Sequence, residues 1–402
     1  MYFFAFGQSL WLDEAITANL VKNFSLFDII TQFSPADFHP PLYYIVLKLW
    51  TAIFGFSEIS LRLPSLIFAL ITAYFIYKIS KNHWASLLFI FNPLIVYYSQ
   101  EARMYLLVTC LLTTAYYFFV NKKNLLFNLF IFLSFLTFYG SVFLILTFFI
   151  YLIFKKQFHW RYLFGFTIAL LVLSPLIYLQ FQNSRQLLSL VPNWPLVLGQ
   201  ATLKNLLLIP LKFTSGRITF YPKIIYYFVS GLWAAWIFAI FRRRPIYLYF
   251  FTLPLILGAA FSIFTPMLSY FRFIYLIPIL SLALAESRYR AIALAGFIAF
   301  SGVYIFNPRF HREDWKSLSA SLPANSTVYM IASLSDPIKY YRPDIKITDY
   351  RLPITDYNLL VIPYGESLHS FDHQSHLKSQ NYSLQSTQNF REITLEEWSK
   401  NQ

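Results

Sequence analysis

WASLLFIFNPLIVYYSQEARMYLLVTCLLTTAYYFFV, residues 84–120, holds two apolar runs, 84–99 and 103–120, on either side of a polar break around Glu101. Each is close to the ~17–25 residues that a helix needs to cross a hydrocarbon core. A helix on the surface of a soluble domain would carry a polar face, and neither run has one. Working outward, runs of the same kind occur at 63–80, 125–140, 141–155, 161–181, 224–240, 246–264, 270–285 and 291–306. The pattern predicts an α-helical polytopic membrane protein with about ten crossing helices.

Composition agrees. Of 402 residues 57% are hydrophobic and 12% charged, with 45 Phe and 30 Tyr, whereas a soluble domain carries about 25% charge. The net charge of +14 would suggest nucleic acid in a soluble protein. Here the basic residues sit in short clusters between apolar runs, the pattern of positive-inside topology, so no nucleic-acid partner is expected. Cys110 lies within an apolar run and implies no disulfide. The opening MYFFAFGQSL lacks the basic flank of a signal peptide.

The run HPPLYYIVLKLWTAIFG, 39–55, carries Lys48 at its centre, at a cost of about 2.5–3.5 kcal/mol if it spans. Laid along the interface instead, it leaves Lys78/Lys81, Lys122/Lys123, Lys155/Lys156, Arg242–Arg244 and Arg288/Arg290 on one face, the cytoplasmic one. Residues 8–61 then form one non-cytoplasmic loop with juxtamembrane helices. Residues 100–102, 182–222, 265–270 and everything after Phe306 share that side. Such a loop needs an earlier crossing, yet only about seven apolar residues precede Gln8, so a truncated first helix is expected. The membrane module is thus 1–306.

The tail, 307–402, is polar. REDWKSLSASL (312–322) and HSFDHQSHLKSQ (369–380) read as helices, and STVYMIA (326–332), DIKITDY (344–350) and YNLLVIP (357–363) as strands. A small soluble α/β domain on the non-cytoplasmic side is predicted. It has no phosphate loop, metal-spaced cluster or nucleophile elbow. Asn23, Asn325 and Asn381 open N-x-S/T triplets, which are common by chance.

Ionisable residues are scarce in the membrane module, and those at membrane depth are candidates for function. Asp13 and Glu14 open the first loop, His39 precedes Pro-Pro, Glu101 and Arg103 flank Ala102, and Arg272 opens a late apolar run. Each has an ordinary reading: a helix N-terminal charge for Asp13 and Glu14, a turn for His39, an ion pair for Glu101 and Arg103, snorkelling for Arg272. Their convergence on one interface favours a site. SLWLDEA (9–15), HPPLYY (39–44), LRLPS (61–65) and YYSQEARMY (97–105), in that order, resemble the GT-C class of membrane glycosyltransferases. Within it they are similar to the protein mannosyltransferase and aminoarabinose-transferase-like group, family 39-like. The resemblance covers roughly 8–120 and extends weakly to FRFIYLIP (271–278) and HREDW (311–315).

That resemblance implies a polyprenyl-phosphate-linked sugar as donor and a lipid, glycan or protein hydroxyl as acceptor, with inversion at the anomeric centre. It implies Asp13 as general base, Glu14 as its partner and Glu101 as the second acidic position. It implies substrate-binding roles for His39, Arg62, Arg103 and Arg272, the arginines toward the lipid phosphate. The chain is expected to be a multi-pass protein of a prokaryotic plasma membrane. No cofactor is expected. A divalent cation held by Asp13, Glu14, His39 and Glu101 is the weaker alternative, because no DxD spacing supports it. The rival readings are a transporter or flippase of lipid-linked sugars, which would show paired repeats, and a non-catalytic scaffold. Acceptor choice falls by elimination to loop 182–222 and to the tail.

Overall fold

Apolar sequence becomes helix here because a backbone that cannot reach water must satisfy its own N–H and C=O groups. The computed structural model describes residues 6–191 and 193–401, the side chains of 185–190 excepted. Helices fall on the apolar runs: Glu58–Ser80, Tyr105–Val120, Asn124–Thr137, Val142–Phe154, Phe164–Leu190, Lys223–Phe241, Pro245–Phe261 and Arg290–Phe306. Among the described residues, Glu58–Ser80, Trp160–Ser184 and Lys223–Phe241 are long and apolar enough to cross a membrane by length and composition.

Two runs are interrupted. Run 84–99 divides into His83–Ile90 and Pro93–Tyr98. Pro93 has no N–H to continue a helix, and Asn92 Oδ1 caps the second piece by accepting from Leu94 N and Ile95 N. Run 270–285 opens with a 3₁₀ turn before Ile277–Ala285. Large apolar side chains point outward, such as Phe264 (87% exposed), Ile224 and Leu125. In water they would be an aggregation surface, while against lipid tails they are in their own solvent. Close packing is visible at Gly165, whose N–H donates to Asn128 Oδ1 at 2.8 Å. A Cβ there would lie 2.1 Å from the Asn128 carbonyl oxygen, so only glycine permits this approach.

The first loop is built from short helices, chiefly α1 (Leu12–Asn23) and Leu42–Phe54. Lys48 directs its Nζ to the Val21 carbonyl at 2.7 Å, near the end of α1. The ammonium thereby gains a partner within the loop instead of an unpaired place in lipid.

The C-terminal segment forms a five-stranded sheet of β1 (Thr327–Tyr329), β2 (Lys346–Thr348), β3 (Asn358–Val361), β4 (Tyr382–Phe390) and β5 (Ile393–Lys400). Its order is β2-β1-β3-β5-β4. The first three strands are parallel, with Val328 opposite both Ile347 and Leu360. β5 runs antiparallel to β3 and to β4. The three apolar runs of the tail are the parallel strands. The β4–β5 hairpin is not legible in the sequence, because β4 is mostly polar and largely exposed along its length, so it lacks the alternation that marks a strand.

The sheet has its own core, including Trp315, Val328, Met330, Val361 and Trp398, against which Leu12 of the first loop also packs. Leu10 N donates to Tyr341 OH (2.8 Å), Tyr341 OH to Glu58 Oε1 (2.8 Å), and Asn19 Nδ2 to Asp336 Oδ1 (2.8 Å). The tail is therefore seated on the first loop.

Within the sheet domain His373 is buried between two carboxylates, Glu366 and Glu396, each at 2.8 Å. Glu366 also accepts from Tyr350 OH, and Glu396 from Trp398 Nε1. Burial alone would lower its pKa, but the two carboxylates outweigh that and hold it above the ordinary value. The stabilisation is then complete below about pH 6.5 and is lost as pH rises through the raised folded value. Hydrogen exchange of 366–400 in the full chain, corrected for intrinsic rate, should show protection falling on the alkaline side. His373→Gln should flatten that slope, and an equal slope in both proteins would reject the assignment.

Candidate functional site

Successive residues of a helix point about 100° apart, so the Asp13–Glu14 pair in the first turn of α1 must face two environments. Glu14 turns inward and is fully buried, as is Arg62. Arg62 Nε and Nη2 donate to Glu14 Oε1 (2.9 Å) and Oε2 (2.6 Å). Its remaining N–H groups go to the carbonyls of Phe6 (2.7 Å), Gln8 (2.6 Å) and Ser9 (3.1 Å). A guanidinium has five N–H donors, and all are engaged. Glu14 Oε1 also accepts from Ala102 N at 2.8 Å, and Ser65 Oγ donates to the Glu101 carbonyl at 2.6 Å. This pair ties the first loop, helix Glu58–Ser80 and the break at 100–104 to one another.

For two of the residues expected to act on substrate, each Arg62 donor is engaged within the protein, and both Glu14 oxygens accept from protein groups.

Asp13 turns the other way. Its side chain is 35% exposed and lies 3.4 Å from Arg103 Nη2. Arg103 is itself buried, with an Nε that has no hydrogen-bond partner. Tyr105 lies within electrostatic reach of Arg103, Asp13, Arg272 and Glu101. Glu101 Oε1 accepts from Arg312 Nε (3.1 Å) and Nη2 (2.8 Å), while its buried Oε2 has no partner. The Arg312 guanidinium stacks on Trp11 at 3.6 Å, with Tyr97 on another side at 5.5 Å. Tyr97 OH accepts from Arg217 Nη1 at 2.7 Å.

His39 sits at the edge of this group. It lies 3.3 Å from Asp37, and Asp37 also accepts from Tyr44 OH at 2.7 Å. Burial would raise the Asp37 pKa, but the His39 charge and both hydrogen bonds hold it below the ordinary value. Tyr44 in turn lies within reach of Arg103 and Asp13.

The structure thus brings Asp13, Glu101, Arg103 and Arg272 together, with His39 beside them. It adds two residues not singled out from sequence, Arg217 and Arg312. Arg312 lies in HREDW and Arg217 in TSGR. The scarcity of charge in this chain was one available signal and the weak resemblance at HREDW another for Arg312, whereas nothing local distinguishes Arg217 from a surface arginine. Among the described residues no carboxylate lies within ion-pair distance of Arg217 or Arg272, although Arg272 packs over Phe271 at 5.9 Å. Arg103, Arg217, Arg272 and Arg312 gather near Asp13 and Glu101, with Glu313 within electrostatic reach of Arg312 and Asp37 of Arg103, and the guanidiniums without an ion-pair partner offer donors suited to an anion.

Residues 38–179 match the family model described as dolichyl-phosphate-mannose-protein mannosyltransferase. The fold is similar to that of ArnT from Cupriavidus metallidurans. In its apo state the TM-score is 0.58 at 10% identity, covering 98% of this chain and 95% of that one. Bound to undecaprenyl phosphate the TM-score is 0.53 at 11% identity, with the same coverage. No curated protein matches the chain. The chain is thus similar to the mannosyltransferase and aminoarabinose-transferase-like proteins of the GT-C class, as its motifs imply.

Breaking a buried ion pair by removing one partner costs about 3–5 kcal/mol. Arg62→Met should accordingly lower the thermal midpoint of the purified chain strongly, and Glu14→Gln should do so as well. If Glu14→Gln instead keeps the parent midpoint while sugar transfer disappears, Glu14 acts in the chemistry and the bracing role is wrong.

Proposed function

We propose that the protein transfers a sugar from a polyprenyl-phosphate-linked donor to a hydroxyl acceptor, with Asp13 as general base. The observation that carries this reading is the placement of a partly exposed Asp13 carboxylate against the buried Arg103, with the half-buried Arg217 and Arg272, which have no ion-pair partner among the described residues, in the same neighbourhood. A departing polyprenyl phosphate is the charge such groups would stabilise. Fixed donors in a low-dielectric site need no reorganisation as the charge develops. Undecaprenyl phosphate is bound by a protein of the same fold, which supports that class of carrier.

In the proposed reaction Asp13 takes the acceptor hydroxyl proton. The oxygen attacks the anomeric carbon from the face opposite the phosphate, the C–O bond to phosphate breaks, and the configuration inverts. Arg103, Arg272 and Arg217, with His39 at the edge, hold the phosphate. Glu101, fixed through Oε1 by Arg312, keeps Oε2 for a hydroxyl of the donor sugar. Arg62 and Glu14 act as positioning residues. The prenyl tail remains in lipid while its phosphate reaches the interface. We read the site as non-cytoplasmic because the clustered basic residues lie at the opposite ends of the helices, as the positive-inside rule expects of a cytoplasmic face, and the expected setting is a prokaryotic plasma membrane.

The test is transfer from radiolabelled undecaprenyl-phosphate hexoses and pentoses in membranes carrying the chain. Asp13→Asn should lower the rate about 10²–10⁴-fold, the usual worth of a general base, with binding of undecaprenyl phosphate retained. Arg272→Ala should weaken that binding. Transfer at the parent rate by Asp13→Asn would remove the base assignment, and a donor moved across the bilayer but never consumed would make the protein a transporter.

A further inference from the structure

Beyond the carboxyl end of β3 lies a cleft of about 210 Å³, lined by Ile362, Pro363, Tyr364, Phe390, Glu392 and Thr394, with Ile393 between the last two. Parallel α/β sheets bind ligands outside the carboxyl ends of their strands. This one meets the membrane site there. The β4–β5 tip is fastened to the segment that carries Arg312: Arg391 Nε donates to the Arg312 carbonyl (2.7 Å), and Asp314 N to the Arg391 carbonyl (3.0 Å). On the other wall Tyr364 OH donates to Glu313 Oε1 at 3.2 Å, and Glu313 Oε2 is buried without a partner. Burial, Glu313 and, more distantly, Asp13 all push the Tyr364 phenol above its ordinary pKa, so the cleft wall lies within reach of Asp13.

We propose that this cleft is the acceptor subsite and that it receives a neutral pyranose ring, the sugar of a glycan or of a glycolipid headgroup. The proposal rests on the transferase reading above. Two aromatic side chains, Tyr364 and Phe390, supply apolar faces for the C–H surface of a sugar. Glu392 and Thr394 supply hydrogen-bonding groups for its hydroxyls. The volume is below the ~300–1,000 Å³ of pockets for drug-sized ligands and suits one ring. Strand addition by a peptide is closed at β3, which is paired on both sides, by β1 and β5, while the edges β2 and β4 stay open, so the peptide contrast below tests that alternative. A phosphorylated acceptor would meet Glu392 and Glu313.

Glu392 also occupies the left-handed region, φ 61°, in a two-residue turn where Gly or Asn is the ordinary choice. Glu392 is solvent-exposed and lines the cleft, with Glu313, Arg217, Arg312 and Arg391 within electrostatic reach. In the reaction the ring held here would present one hydroxyl to Asp13. Its proton passes to the carboxylate, its oxygen bonds the donor's anomeric carbon, and the electron pair of the broken C–O bond leaves with the polyprenyl phosphate.

The experiment uses the full chain in nanodiscs with methyl glucoside, methyl mannoside and methyl galactoside as neutral probes. Glucose 1-phosphate and a serine-bearing peptide serve as contrasts. Hydrogen exchange should show protection of 360–364 and 388–396 by at least one neutral glycoside and by neither contrast. Phe390→Ala and the conservative Glu392→Gln should each raise the acceptor KM about tenfold with the donor KM retained. A glycolipid and a free oligosaccharide of the accepted sugar, compared as acceptors, then identify the source. Protection elsewhere, no protection, or an unchanged acceptor KM in both variants overturns the subsite. Transfer with unchanged acceptor KM removes the cleft and leaves the transferase. Cleft protection in a chain that transfers nothing supports the sugar site and removes the transferase.

Discussion

A guanidinium placed where no water reaches must have every donor satisfied, and Arg62 meets that demand with five bonds. Leaving such a group half-paired would cost several kcal/mol, so the segments that supply its acceptors are fixed relative to one another. Three of those acceptors are backbone carbonyls of residues 6–9, and the carboxylate that supplies the others also holds Ala102 N. The first turn of α1, helix Glu58–Ser80 and the Glu101 segment are thereby set in register. Asp13, one residue from Glu14, inherits its position from that anchor.

The second constraint is the imbalance of charge on the open side of the same anchor. Arg103, Arg217, Arg272 and Arg312 face Asp13 and Glu101, and only Arg103 and Arg312 have an ion-pair partner among the described residues. Half-buried cations without an ion-pair partner favour an anion that completes them. A lipid phosphate would do so without leaving its bilayer.

The tail domain belongs to this arrangement and is not an appendage. Arg312 reaches down to Glu101 while its own carbonyl is held by Arg391 from the hairpin tip. The tip of the β4–β5 hairpin and the carboxylate at the membrane site are thus joined through one residue, Arg312. Leu12 at the start of α1 packs into the sheet's core from the other side, which leaves Asp13 at the junction of the two parts.

The sequence by itself determined what depends on local pattern. Apolar runs became helices because lipid leaves the backbone no other partner, and YNLLVIP and STVYMIA became strands because short apolar runs suit a buried parallel sheet. The ordered motifs located Asp13, Glu101 and Arg103 in one neighbourhood. Only the tertiary structure decided which charges meet. Glu14 finds Arg62 across 48 positions and Glu101 finds Arg312 across 211, and no local property says that these residues will pair. It also turned Glu14 and Arg62 inward, drew in Arg217, and folded the polar β4 against β5. Hydropathy and periodicity are properties of neighbours in the chain, whereas an ion pair or a cleft is a property of neighbours in space.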